Sequence, residues 1–159
     1  MNDFENIFNK LSEIDKKTIN AYRSAREFKS LSIYPIVNID NRMYSTIIAS
    51  ITNKVFACEL FLKSIIMMNK KQTQTGHLIS QLIDKSRIKS NLEKILLKYD
   101  LDNEILKIDD AFKKWRYSYE YSELTINAGF LNDLCGALEK ICRDKIQENY
   151  NLNMLDSFI

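Results

Sequence analysis

The stretch Val55 to Met68, VFACELFLKSIIMM, decides the fold: it is apolar around every side of a helix, and its only charges are Glu59 and Lys63, four residues apart. A helix that is hydrophobic all round belongs at the centre of a structure. Ions set into such a helix need partners, because an unpaired buried charge is costly enough to neutralise itself by a pKa shift. Partners stand downstream, in Gly76-His77-Leu78 and in Trp115-Arg116-Tyr117-Ser118-Tyr119-Glu120. The three places read as one polar seam.

Outward from that stretch the pattern is helical. Upstream, Tyr44, Ile47, Ile48 and Ile51 extend the same periodicity back to Asp40 or Asn41, either of which can cap it, and Lys70-Lys71 with Gln72-Thr73-Gln74-Thr75 ends it. Before it, Phe4, Ile7, Phe8, Leu11, Ile14, Thr18, Tyr22 and Ala25 predict one long helix over residues 2–28. Residues 30–39 hold the only proline, Pro35, in an apolar setting and predict an extended arm on the bundle or a contact surface. After it, a short helix is expected over residues 76–85, and Ser86 can cap another carrying Ile88, Leu92, Ile95 and Leu96. Asp102 then opens a helix striped by Ile105, Ile108, Phe112, Trp115 and Tyr119, and Asn127 opens a last one with Phe130, Leu131, Leu134, Leu138, Ile141 and Ile146. The tail, 150–159, retains Leu152, Met154, Leu155, Phe158 and Ile159, apolar enough to dock on the bundle or on a partner.

Three Gly and one Pro in 159 residues are too few breakers for a many-stranded fold. The expectation is all-α: an up-and-down helical bundle of about five main helices plus short ones, in a single domain spanning 1–159. Within it, 1–39 supply the first helix and arm, 40–149 the core and 150–159 the tail. With 23 basic and 21 acidic side chains the net charge is +2, which argues against strong long-range attraction to nucleic acid or to an anionic membrane. No run approaches the roughly 20 apolar residues of a membrane span, and the start, Met1-Asn2-Asp3-Phe4-Glu5, is not that of a secretory signal, so a cytoplasmic protein is expected. Cys58, Cys135 and Cys142 fall within apolar helical patterns and lack paired metal-ligand spacing, as expected of reduced core thiols. No cofactor and no metal are expected.

Each member of the seam admits two roles. Glu59 and Lys63 can pair along their own helix, or Glu59 can take Arg116, whose guanidinium offers two parallel hydrogen bonds. His77, the only histidine, can cap a helix start or serve as acid or base. Arg116, flanked by Trp115, Tyr117, Tyr119 and Tyr121 and spaced four from Glu120, can be a structural arginine or can grip a phosphate while aromatics stack on a base. The candidate binding set is therefore Glu59, Lys63, His77, Arg116, Tyr117 and Glu120, with His77 and Arg116 the candidate catalytic pair.

The order Glu59-x-x-x-Lys63, Gly76-His77-Leu78-Ile79-Ser80-Gln81-Leu82 and Trp115-Arg116-Tyr117-Ser118-Tyr119-Glu120 resembles the HEPN superfamily of small bacterial all-α proteins, over about residues 40–145. The resemblance implies a helical bundle that commonly dimerises and serves toxin–antitoxin, phage-defence or RNA-processing systems. Active members are metal-independent ribonucleases whose usual signature is an Arg followed four to six residues later by a His. Here Arg116 is followed by Tyr, Ser, Tyr, Glu, Tyr, Ser and Glu, so the signature is absent. The resemblance thus implies a non-catalytic binding or interaction module, a homodimer recognising a nucleotide, RNA or partner protein and not a membrane. The alternatives are a ribonuclease that uses His77 with Arg116, or a purely structural interaction protein.

Overall fold

The computed structural model describes residues 3–32, 36–39, 42–45, 47–115 and 126–150, and side chains within these except at 3, 4, 6, 36–39, 42–45, 47, 48 and 111–115. The chain folds as an all-α bundle. Among the described residues it runs α1 (Asp3–Asn9), α2 (Glu13–Ser30), β1 (Ile36–Ile39), β2 (Arg42–Ser45), α3 (Ile47–Lys70), α4 (Ile79–Ser86), α5 (Lys89–Ile95), α6 (Leu101–Trp115) and α7 (Ala128–Tyr150).

The all-round apolar helix is the central one. Helix α3 packs against α2, α7, α4 and α6, and Val55, Ala57, Cys58, Phe61, Leu62, Ile65 and Ile66 are each fully buried on its several faces. Helix α2 presents Thr18, Ile19, Tyr22 and Ala25 to it. Tyr22 meets Phe61 with ring centroids 5.8 Å apart. Helix α7 closes the other side with Phe130, Leu131, Leu134, Cys135, Leu138, Cys142 and Ile146. All three cysteines are free and buried, as their apolar setting predicts.

Short polar side chains fasten α2 to α3. The Ser64 hydroxyl donates to the Thr18 carbonyl at 2.9 Å, and Asn53 Nδ2 donates to the Leu31 carbonyl at 3.3 Å. The second bond satisfies a carbonyl at the C-cap of α2, whereas the first adds a second donor to a carbonyl in the interior of that helix.

Several elements differ from the sequence reading. The long first helix is two, because Ser12 interrupts it: its hydroxyl accepts from the Asp15 amide at 3.3 Å and donates to the Asp15 carboxylate at 2.6 Å, a reciprocal cap that overrides a continuous apolar period. The second helix starts at Ile47 and not near Asp40, since Tyr44 lies in β2, which pairs antiparallel with β1 in the register Ile36 to Ser45 and Ile39 to Arg42. The extended arm expected at 30–39 is in part this ribbon; β-branched Ile36, Val37 and Ile39 favour a strand, and the turn-forming dipeptide Asp40-Asn41 separates the two strands in sequence. Helix α4 begins at Ile79 and not at Gly76. Ser86, expected to cap the next helix, is the last residue of α4 and returns its hydroxyl to the Ile83 carbonyl at 2.7 Å; Arg87 then leaves the helix in the left-handed region at φ 59°.

Other boundaries match or differ by one residue. Helix α3 ends at Lys70, with Lys71 at φ 52°. Asn127 Oδ1 accepts from the Phe130 amide at 3.0 Å at the start of α7, as expected, whereas α6 opens at Leu101, one residue before the expected Asp102, because Asp100 and not Asp102 accepts from the Asn103 amide, at 3.4 Å. The expected continuation of α6 to Tyr119, Pro35 and the apolar tail at 151–159 lie outside the described residues.

Candidate functional site

Two of the three places of the seam meet on one oxygen. Glu59, midway along α3, has a side chain only 5 % exposed, and its Oε1 accepts from Lys63 Nζ at 2.6 Å and from His77 Nδ1 at 2.9 Å. Lys63 lies one turn farther along the same helix, so 3.6-residue periodicity alone brings the ammonium over the carboxylate. His77 comes from residues 71–78, the connection between α3 and α4. It is placed by tertiary structure.

Two features aim that connection. Gly76 precedes His77 with φ +100°, a conformation that a side chain would strain, and so turns the chain back toward α3. Asp109 on α6 then clamps the far end. Its buried carboxylate accepts from the Ile79 amide at 2.5 Å, from the Ser80 amide at 3.2 Å and from the Ser80 hydroxyl. The N-cap residue of α4 is Leu78, whose side chain can accept nothing, so the cap is supplied from thirty residues away. A carboxylate at this position also complements the positive end of the α4 dipole.

The cluster has a definite polarity. An ionised carboxylate only accepts, so the proton in the Glu59–His77 bond belongs to Nδ1. The His77 side chain is 59 % exposed, whereas its anchor is buried. The result is an oriented imidazole at the surface, backed by a carboxylate whose charge an ammonium balances. Oε2 of Glu59 is buried and has no hydrogen-bond partner among the described residues. It lacks a donor at the base of the site.

The sequence reading named Glu59, Lys63 and His77, and the fold brings all three together. It placed His77 in the first turn of a helix; His77 instead precedes the N-cap, so its orientation comes from Glu59 and not from a helix dipole. Arg116, Tyr117 and Glu120 lie outside the described residues. Asp109 went unrecognised, although a signal existed: it stands four residues after Ile105 and one after Ile108, on the apolar side of an amphipathic helix where an acid needs a donor.

Among the described residues no group of three or more His, Cys, Asp or Glu side chains could hold a metal ion, and no helix is long and apolar enough to cross a membrane. No protein family, curated protein or solved structure matches this chain.

Proposed function

We propose that this chain is a HEPN-like binding module, dimeric and non-catalytic, that contacts a nucleotide or RNA through the surface on which His77 opens, in a bacterial toxin–antitoxin, phage-defence or RNA-related system. The observation that carries the reading is the exposed imidazole held by a buried carboxylate next to an ammonium. An imidazole so anchored meets a ligand at little entropic cost, because its rotamer is already chosen. Lys63 has donors beyond the one that Glu59 uses, since an ammonium carries three. Non-catalytic follows from the missing histidine after Arg116, which leaves that arginine without a nearby sequence partner for proton transfer.

One observation favours a second reading. A carboxylate on Nδ1 fixes the ring's tautomer and orientation, which is the support a general base uses in attack by a ribose 2′-hydroxyl. The ribonuclease reading, which pairs His77 with Arg116, is therefore the alternative for the His77 surface.

Binding of single-stranded RNA oligonucleotides and of adenosine nucleotides to the wild-type chain and to His77→Ala, followed in parallel by gel for cleavage, tests both. The binding module expects intact RNA and an affinity lowered about tenfold by the substitution, the scale of one good polar contact. Cleavage abolished in His77→Ala would instead establish the second reading. Equal, negligible binding by both proteins leaves the cluster as architecture and defeats the proposal.

A further inference from the structure

Away from His77, helices α4, α5 and α6 enclose a cleft of about 230 Å³, lined by Ser80, Ile83, Asp84, Lys89, Asp102, Ile105 and Leu106. It is smaller than the ~300–1,000 Å³ typical of drug-sized sites and so suits a small ligand. Its floor is apolar: Ile83 and Ile105 are buried, and Leu106 stands 61 % exposed, a large hydrophobic side chain left facing solvent beside them. Its mouth is acidic. Lys89 is paired with Asp102 at 2.7 Å, and Asp84 is the second carboxylate in the lining. Asp84 makes no side-chain hydrogen bond or ion pair among the described residues, which leaves its carboxylate available at the rim.

We infer that the cleft binds a small organic cation, an amine carried on an apolar alkyl or aryl body, with the ammonium on Asp84 and the body on Ile83, Ile105 and Leu106. Charge selects this occupant. The chain as a whole is net basic at +2, yet the lining carries two acids to one base, so an anion meets net repulsion there and a neutral apolar molecule gains nothing from Asp84. Ser80 supplies no competing site, because its hydroxyl is already committed to Asp109. The inference is independent of the His77 surface.

The test is a titration of the full, isotopically labelled chain with 3-phenylpropylamine and with its neutral counterpart 3-phenylpropanol, followed by backbone amide shifts. The expected result is saturable shifts confined to the 80–84 and 102–106 segments, with the amine bound about fivefold more tightly at low salt, near the ceiling of one exposed ion pair. Asp84→Asn, at an exposed position, should erase the preference for the amine while sparing the alcohol. Leu106→Ser should weaken both alike. Equal affinity for the two probes, a preference that survives Asp84→Asn, or shifts located elsewhere overturns the inference.

Discussion

Replacing Asp109 with alanine removes the clamp that ties α4 to α6, and its cost can be worked from the contacts. The carboxylate receives two backbone amides and a hydroxyl, and one of the amides belongs to Ile79, which has no solvent exposure with which to recruit water. Loss of an N-cap costs about 0.5–2 kcal/mol, and a buried donor left unsatisfied costs about 1–3 kcal/mol. The two overlap at Ile79, so the expected loss is about 3 kcal/mol, or a fall in Tm of about 6–12 °C for a chain of this size. Asp109→Asn keeps an acceptor oxygen but forfeits the charge at the α4 N-terminus, which predicts a loss of about 1 kcal/mol. Urea unfolding of both variants gives these values directly. Because His77 is the only histidine, its ring resonances report the same perturbation without assignment ambiguity. In folded Asp109→Asn they should move toward those of a freely rotating imidazole as the connection loosens. A destabilisation by Asp109→Ala of less than about 1 kcal/mol would falsify the clamp, since even its cap contribution would then be missing.

Tyr22 leads to the opposite sign. Its ring is fully buried and burial pushes its hydroxyl up to about 12, yet the oxygen has no hydrogen-bond partner among the described residues. Tyr22→Phe keeps the packing on Phe61 and removes an unsatisfied group, so urea unfolding should show no loss and a gain of up to about 1–2 kcal/mol; a clear loss would mean that the hydroxyl is satisfied after all. Asp15 predicts a pH dependence. Burial raises its carboxyl, but hydrogen bonds from Lys71 at 2.6 Å, Ser12 at 2.6 Å and Tyr150 at 2.7 Å, with the Lys71 charge, outweigh that and hold it below its ordinary value. A lowered folded-state pKa adds stability above the unfolded value, near 3.9, which is lost as pH falls through the folded one. The stability difference between wild type and Asp15→Asn should therefore be flat from neutrality to about pH 5 and shrink below about pH 4; a difference that grows in acid contradicts the assignment.

How much was legible depended on whether the cause was local. Sequence alone determined that α3 is central, because fourteen residues apolar on every face cannot be solvated, and it identified the buried stripe of α7 and the Asn127 cap, each a matter of spacing along one helix. It also marked Glu59, Lys63 and His77 by a simple asymmetry: charges in an apolar helix, and a lone histidine after a glycine. It failed where two local signals competed. The apolar period through residues 2–28 carried no weight against the Ser12 cap, and helical spacing at Tyr44 yielded to strand pairing between β1 and β2.

Tertiary structure alone decided which donor meets which acceptor. Lys63 reaches Glu59 by helical geometry, but His77 arrives eighteen residues later only because Gly76 reverses the chain and Asp109 pins α4 from thirty residues beyond. Those bonds come from the way α4 packs against α3 and α6. Periodicity records which face of a helix is buried; it is silent on what faces it, because packing energy is shared among many apolar contacts whereas a hydrogen bond needs one partner at one distance.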